Sequence, residues 1–408
     1  MTISLPLDAP TGRMTAWPHR VALYSHDTQG LGHIRRNLLV AEALKGGGPT
    51  PDVLLVSGAL EAHRFALPAG ADLLTLPALH KRADGAYGPR SLTTSLDDLV
   101  GLRSQTIAAA LDAFAPDLLI VDKVPRGFGG ELEHALRLLR GRPGVRTVLG
   151  LRDVLDDPAT TRREWRDQES TAAVRDGFDA VWVYGDPRVF DPVVSYRLPP
   201  SVARKVRYTG YLARPPRPSH AAGAALPAAP FVLGLVGGGQ DGEALAQSFL
   251  RADLPHGLEA VLVTGPYLPA DRLSALQALA EARPARHVLP FFRGCEALLE
   301  RAESVVAMGG YNTTCELLAA GARSLVVPRV RPRQEQLIRA QRFADLGLVD
   351  VLHPDDLSAA AIARWVAAPP ARRPVDAVDL GGVGRIPQLV AELHAAPAPV
   401  REMCRVAS

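Results

Sequence analysis

The segment VVAMGGYNTTCELLAAGARSLVVP (305–328) joins an apolar run to a helix through two glycines, and this order decides the fold. The apolar run predicts a buried strand, and the helix carries Thr313, Thr314 and one acid, Glu316. Glycines let backbone N–H groups approach an anion, while a helix start adds unpaired donors and a positive dipole end. The segment therefore predicts a strand–turn–helix unit with an anion held at the turn.

The same alternation of short apolar strands and amphipathic helices extends on both sides of this segment. One helix is predicted in RRNLLVAEALK (35–45), where Ile34, Leu38 and Ala41 fall on one face. Buried parallel strands are predicted at 21–25, 52–56, 72–76, 117–122, 146–151, 180–184, 231–236, 260–265, 286–291, 304–308, 324–328 and 348–352.

A stretch rich in Pro, Ala and Gly (205–230) separates the strands into two blocks and predicts a linker. The sequence thus predicts an α/β protein with two Rossmann-like domains, whose parallel sheets face a central cleft. Ligands of such sheets bind outside the carboxyl ends of the strands. The predicted boundaries are a tail (1–19), an acceptor-binding domain (20–215), a linker (216–229), a donor-binding domain (230–370) and a C-terminal segment with a closing helix (371–408).

Composition excludes several classes of protein. The chain has 408 residues, 47% of them hydrophobic and 22% charged, with a net charge of +3, which is typical of globular domains. It contains no basic block of the kind that binds nucleic acid, and no apolar run long enough to span a membrane. The start lacks a signal-peptide pattern, so we expect a cytoplasmic protein. The cysteines (Cys295, Cys315 and Cys404) predict neither a disulfide framework nor a metal site, and Cys315 should be buried as a small hydrophobe.

Glu316 has two interpretations. A carboxylate one turn into this helix can accept hydrogen bonds from both hydroxyls of a ribose. However, Thr313 and Glu316 also have the spacing of a capping box, which is a purely structural motif. A second glycine turn, GGGQDG (237–242), follows the strand 231–236 but lacks the complete dinucleotide-binding pattern.

Taken in order, these motifs resemble the GT-B glycosyltransferases, most closely the branch of the lipid-linked N-acetylglucosamine transferase of peptidoglycan synthesis. GGGQDG is similar to the loop that opens the second domain of that family, and the turn before Glu316 to its ribose-binding motif. TGYLAR (209–214) is similar to the element that ends the first domain. Pro328 precedes QLIRA (336–340), where Arg339 stands at the position of the Asn of the family motif.

The resemblance implies a nucleoside-diphosphate sugar as donor, with a uridine diphosphate sugar favoured. It also implies an inverting displacement without a metal ion or other cofactor, and no DxD motif occurs in the chain. The residues implied to bind the donor are Arg214, Gly237, Gly238, Gly239, Gln240, Phe292, Arg293, Gly309, Gly310, Asn312, Thr313, Thr314, Glu316 and Gln336.

The first domain supplies the candidate base. GLGH (30–33) resembles the acceptor loop of the family, which gives His33 the role of the base, with His26 as competitor. Asp122 ends a strand and would fix the tautomer of either histidine. The alternatives are a helix-capping His33 and an Asp122 that closes a turn. Arg35 and Arg36 either assist an anionic acceptor or face solvent, and we expect them to face solvent.

The acceptor, an unidentified hydroxyl compound, is expected to contact the long polar loop 76–95 and the strand-end loop 150–158. A salt bridge between Arg152 and Asp153 explains the second loop equally well. Because that branch works at the membrane surface, peripheral membrane contact stays open. The predicted acceptor contacts are Gly32, His80, Arg82, Tyr87, Arg90 and Arg152.

Three other functions stay open on the sequence. A nucleotide-sugar 2-epimerase shares the architecture but needs no acceptor site. A nicotinamide-dependent oxidoreductase would have two Rossmann blocks, yet the dinucleotide-binding pattern is incomplete here. The third is a protein that binds nucleotide sugars without catalysis, although this sequence keeps both the donor and the acceptor half of the predicted site. The sugar, the acceptor and the oligomeric state are not predicted.

Overall fold

The protein, described from a computed structural model, is built on two parallel β-sheets. The structure describes residues 17–26, 31–81, 87–214, 227, 229–238, 241–290, 295–370, 374 and 376–397. Within these residues, no helix combines the length and the apolar character needed to cross a lipid bilayer.

The first sheet has seven strands in the order β3-β2-β1-β6-β7-β8-β9, and a separate antiparallel pair joins β4 to β5. The elements of this half are β1 (Arg20–Ser25), α1 (Gly32–Leu44), β2 (Asp52–Ser57), β3 (Ala71–Thr75), β4 (Leu79–Lys81), β5 (Tyr87–Pro89), α2 (Leu96–Phe114), β6 (Leu118–Asp122), α3 (Glu133–Arg140), β7 (Arg146–Arg152), α4 (Pro158–Asp167), α5 (Ser170–Gly177), β8 (Ala180–Tyr184), α6 (Pro192–Ser195), α7 (Pro200–Ala203) and β9 (Val206–Tyr208).

The second sheet has six strands in the order β12-β11-β10-β13-β14-β15. Its elements are β10 (Phe231–Leu235), α8 (Glu243–Arg251), β11 (Glu259–Val263), α9 (Ala270–Glu281), β12 (Arg286–Leu289), α10 (Cys295–Arg301), β13 (Ser304–Ala307), α11 (Tyr311–Ala319), β14 (Ser324–Val326), α12 (Glu335–Asp345), β15 (Asp350–Val351), α13 (Ala359–Ala367) and α14 (Gly382–Ala395). Short 3₁₀ helices lie at Leu60–Arg64, Phe128–Gly130 and Pro354–Asp356.

Each sheet has its topological switch point at its first strand. β1 pairs in parallel with β2 on one side and with β6 on the other, and Ser25 lies opposite Asp122. β10 pairs in the same way with β11 and β13. Ligands of open α/β sheets bind at such crevices, so the fold places the two candidate loops of each half side by side.

The structure differs from the sequence-based prediction at three places. The polar stretch 76–95, predicted as a loop, contains the β4–β5 hairpin. Residues 206–208, predicted to lie in a stretch without periodicity, form the edge strand β9. The strand predicted at 348–352 is reduced to two residues. All three involve segments of two or three paired residues, which are too short to show a period in the sequence.

Apolar packing joins the two halves. The largest hydrophobic cluster includes Val21 and Ile34 of the first half together with Leu233 and Tyr311 of the second. The last helix, α14, returns across the molecule and packs against α1, where Ile386, Leu389 and Val390 belong to the same cluster. As predicted, Ile34, Leu38 and Ala41 of α1 are buried, and Cys315 is buried as well.

Candidate active site between the two sheets

Asp122 and His33 form a hydrogen-bonded pair at the switch point of the first sheet. Asp122 is the last residue of β6, His33 lies in the first turn of α1, and His33 Nδ1 is 2.5 Å from Asp122 Oδ2. Arg36 donates from Nη2 to the same carboxylate oxygen at 2.6 Å. Burial alone would raise the pKa of Asp122, but Arg36 and His33 hold it well below its ordinary value. Asp122 is therefore ionised and accepts the Nδ1 proton of His33, which leaves Nε2 as the basic nitrogen.

Arg36 also lies near the imidazole, with Nη2 2.8 Å from His33 Nδ1. A guanidinium only donates, so this contact and the contact with Asp122 require opposite roles of Nδ1. The ionised carboxylate is the stronger partner for both groups, and we assign the Nδ1 proton to the bond with Asp122. The expectation that Arg36 faces solvent is wrong, because its side chain is only 2% exposed.

His26 follows β1 and is the poorer candidate for a base. Its ring contacts that of His33 edge-on at a centroid distance of 4.7 Å. Burial, followed by the positive charges of His33 and Lys123, lowers the pKa of His26 well below its ordinary value. Its Nδ1 is buried and has no hydrogen-bond partner in the described part of the chain. His26 therefore lacks the carboxylate that orients His33.

Glu316 does not act as a helix cap. Helix α11 begins at Tyr311 with Gly310 as its N-cap, so Thr313 lies inside the helix and the capping-box interpretation of Thr313 and Glu316 is wrong. Instead, the Glu316 carboxylate forms an ion pair with Arg35 of α1 across the cleft, which also corrects the expectation that Arg35 faces solvent. Burial raises the pKa of Glu316, and Arg35 opposes this shift. Asn312 also contacts α1, because its Nδ2 donates to the carbonyl of Gly32, the first residue of that helix, at 3.2 Å.

The remaining predicted donor contacts differ in what their side chains do. The Thr314 hydroxyl donates to the Gly310 carbonyl at 3.0 Å within its own helix, so it is not directed at a ligand. Gln336 Oε1 accepts from the Arg329 N–H at 3.0 Å and shapes the loop before α12. Thr313 is half-buried, and Arg214 is exposed. Gly239, Gln240, Phe292 and Arg293 lie outside the described residues.

The two glycine turns are tightly held. Gly237 has a φ of +67°, a conformation that favours glycine. The Gly238 carbonyl accepts from the Tyr267 N–H at 3.0 Å, and the Tyr267 hydroxyl donates to Glu61 at 3.0 Å. A Cβ on Gly309 would lie 3.1 Å from Val326 and 3.4 Å from Gln336, so that backbone is packed against β14 and α12.

Several side chains that were predicted to contact the acceptor form contacts within the protein. Arg90 pairs with Glu61 at 3.5 Å, beside the loop of Gly238. His80 Nδ1 lies 2.9 Å from the Pro89 carbonyl within the hairpin, and the Tyr87 ring packs on Phe128 at 5.0 Å. Arg82 lies outside the described residues.

Arg152 and Asp153 do not pair with each other. Asp153 is fully buried and accepts from Arg339 Nη2 at 2.6 Å and from the Tyr211 hydroxyl at 3.0 Å. Arg339, the residue at the family's Asn position, is therefore engaged in a buried ion pair between the two halves. Arg152 Nε is buried and has no hydrogen-bond partner among the described residues.

The sequence analysis overlooked four charged residues of this cleft. These are Lys123, Arg329, Arg333 and Glu335, which lie after β6 and in the approach to α12. In the sequence, only their positions mark them: Lys123 follows a strand, and the other three lie between Pro328 and QLIRA (336–340). No group of three or more His, Cys, Asp or Glu side chains in the described chain is arranged to bind a metal ion.

The fold has known counterparts among solved structures. The glycotransferase of kitacinnamycin has 19% identity and a TM-score of 0.57, over 92% of this chain and 99% of that chain. MurG from Acinetobacter baumannii has 14% identity and a TM-score of 0.51, over 94% and 97%. A Listeria monocytogenes protein assigned as a UDP-N-acetylglucosamine 2-epimerase has 11% identity and a TM-score of 0.57, over 91% and 94%. These structural similarities show that the chain has the GT-B fold.

The second half of the chain also matches the model of a known domain family. Residues 232–367 match the glycosyltransferase family 28 C-terminal domain. No curated protein sequence matches the chain. The GT-B fold and this domain together make the protein a glycosyltransferase, as the sequence motifs predicted.

Proposed function

We propose that the protein transfers a sugar from a nucleoside-diphosphate sugar, preferably a uridine diphosphate sugar, to an acceptor hydroxyl. The observation that carries this proposal is the convergence of both candidate groups on the first turn of α1. His33 of that turn pairs with Asp122, and Arg35 of the same turn pairs with Glu316. The candidate base and the residue that pairs with the candidate ribose carboxylate thus share one turn of α1.

On the donor side, Glu316 would accept hydrogen bonds from the two ribose hydroxyls once Arg35 releases it. The glycine turns before α8 and α11 and the positive end of the α11 dipole would stabilise the diphosphate. Arg214, at the end of the first half, would add a positive charge. This set of groups needs no metal ion, and transfer should persist in excess chelator.

On the acceptor side, His33 Nε2 would take the proton of the acceptor hydroxyl as its oxygen attacks the anomeric carbon. The bond from that carbon to the diphosphate breaks, and the nucleoside diphosphate leaves with the electron pair. Asp122 stabilises the imidazolium that results. Attack opposite to the leaving group inverts the anomeric configuration.

Calorimetric titration with the diphosphates of uridine, thymidine, guanosine and adenosine, with NAD as a fifth ligand, tests the donor class. We expect one nucleoside diphosphate to bind in the presence of a chelator, and Glu316→Ala to weaken that binding about tenfold or more. Glu300→Ala, on the exposed side of α10, is the matched control. Binding of NAD alone, or unchanged nucleotide affinity in Glu316→Ala, would contradict the proposal.

The 2-epimerase is the second candidate, since one protein of the same fold carries that assignment. Incubation with the bound nucleotide sugar alone, followed by nuclear magnetic resonance of the sugar, distinguishes the two reactions. An epimer formed without any acceptor would identify an epimerase. A transferase requires an added acceptor and gives a new glycoside with inverted configuration.

A further inference from the structure

Lys123 and Arg152 are two basic residues at adjacent strand ends of the first sheet. Lys123 directly follows Asp122, and its N–H donates to the Gly150 carbonyl of β7 at 2.7 Å. Arg152 is the last residue of β7. Neither side chain forms a hydrogen bond or an ion pair with a described residue, and Arg152 Nε is shielded from solvent. Each side chain is half-buried near Asp122 and has no hydrogen-bond or ion-pair partner among the described residues, while the charge of Glu335 acts on both.

The carboxylates around these cations are engaged by other arginines. Asp122 pairs with Arg36 at 2.6 Å, Asp153 with Arg339 at 2.6 Å, and Glu164 with Arg333 at 2.8 Å. Glu335 accepts from Arg329 at 2.8 Å, while its Oε2 is buried and has no hydrogen-bond partner among the described residues. The site thus offers two positive groups and one spare acceptor oxygen.

The local electrostatics agree with this geometry. Burial, followed by the charges of Arg152 and Arg333, lowers the pKa of Lys123 to about 7, although Glu335 and Glu164 oppose the shift. Burial also lowers the pKa of Arg152 to about 10; Glu335 and Asp122 oppose this shift, and Arg36 and Arg339 add to it. These surroundings disfavour the charged form of both side chains, and a bound anion would oppose this effect.

The backbone at Lys123 is also unusual. Its φ of +71° lies in the left-handed region, which a long side chain seldom adopts. Such conformations occur preferentially at binding and catalytic sites. The turn directs the chain away from Asp122 just where the two halves of the protein meet.

We propose that Lys123 and Arg152 bind an anionic group of the acceptor, a carboxylate or a phosphate, next to the hydroxyl that is glycosylated. Glu335 Oε2 then accepts a hydrogen bond from a hydroxyl or amine beside that anion. This inference rests on the proposed transfer reaction, because it assigns the subsite to the acceptor. It predicts that neutral acceptors are poor substrates.

The test uses acetate and inorganic phosphate as probes, titrated calorimetrically into the full chain at pH 8. We expect saturable binding that is at least about tenfold weaker in Lys123→Asn and in Arg152→Gln. Asn tolerates the left-handed conformation of residue 123, so this variant keeps the backbone. Lys45→Gln on α1, whose lysine pairs with Glu42 at 2.8 Å, is the matched control.

Proton linkage gives a second readout, independent of turnover. At pH 8 a lysine with a pKa near 7 is mostly neutral, and it must be protonated to pair with an anion. Acetate binding should therefore take up much of a proton, measured from the heats in buffers of different ionisation enthalpy. The uptake should disappear in Lys123→Asn and remain in Lys45→Gln.

Repeating the titration with saturating uridine diphosphate separates this proposal from the donor site. Anion binding that persists with the nucleotide bound supports an acceptor subsite. Displacement by the nucleotide, or binding that Lys123→Asn and Arg152→Gln leave unchanged, would overturn it. Failure of every nucleotide to bind would contradict the proposed transfer, while anion binding sensitive to Lys123 would still establish the site.

Discussion

At the scale of the residue, the proton on His33 is controlled by one carboxylate. Asp122 was predicted to orient a histidine because it ends a strand next to the loop that carries both candidates. The structure selects between them, since only His33 contacts Asp122. Arg36 could not be predicted, because an arginine three residues further along a helix looks solvent-exposed until a second domain covers it.

His33→Ala should lower kcat about 10²- to 10⁴-fold, because the acceptor hydroxyl loses its base. Nucleotide affinity should stay unchanged, since His33 is not among the proposed donor contacts, most of which lie on the other half. Both quantities are measured with the donor and acceptor that the wild-type protein uses. His26→Ala is the matched control and should keep kcat within a few-fold. An equal loss in both variants would contradict the assignment of the base.

Asp122→Asn should cost nearly as much turnover as His33→Ala, since an amide does not hold the required tautomer. The double variant should be no slower than His33→Ala alone, because the two residues act as one unit. Additive losses would show that Asp122 acts elsewhere. The assay is run well below the melting temperature of each variant, because Arg36 loses its buried partner in Asp122→Asn.

At the scale of the element, α1 and α11 face each other across the cleft. Arg35 of α1 pairs with the carboxylate that the donor ribose is proposed to use, so Arg35 would compete with the ribose for Glu316. The side chains of Arg35 and Glu316 are 38% and 23% exposed, so their ion pair is of moderate strength.

Arg35→Ala should therefore tighten nucleotide binding about two- to fivefold, as expected for the loss of a partly exposed ion pair. Titration of the variant with the preferred nucleoside diphosphate measures this change. Lys45→Ala, on the same helix, should have no effect. Weaker binding in Arg35→Ala would instead mean that Arg35 contacts the donor directly.

At the scale of the whole molecule, a buried ion pair joins the halves. Arg339 lies on α12 of the second half and Asp153 directly after β7 of the first, and both are almost completely buried. Their contact depends on the relative position of two domains, which no local pattern in the sequence encodes. The strands, the glycine turns and their order were predictable from hydrophobic periodicity, whereas contacts between the domains were not.

Arg339→Ala should destabilise the protein by about 3–5 kcal/mol, because Asp153 is left buried without its partner. Arg339→Met combined with Asp153→Leu should recover most of this loss. Calorimetric melting of the single and double variants measures the difference, and Arg342→Ala, an exposed pair on the same helix, is the control. A double variant as unstable as Arg339→Ala would contradict this account.

The return of α14 to α1 has a consequence for biosynthesis. The apolar surface of α1 that α14 covers leaves the ribosome long before α14, because the strands of both sheets after β1 lie between the two helices in the chain. At ordinary translation rates, α1 waits for its covering helix for roughly 20–70 s. During that interval the nascent first half exposes apolar surface that the finished protein hides, and a truncated chain that ends before α14 would keep it exposed. We therefore expect chaperone capture of stalled chains to end once α14 has emerged.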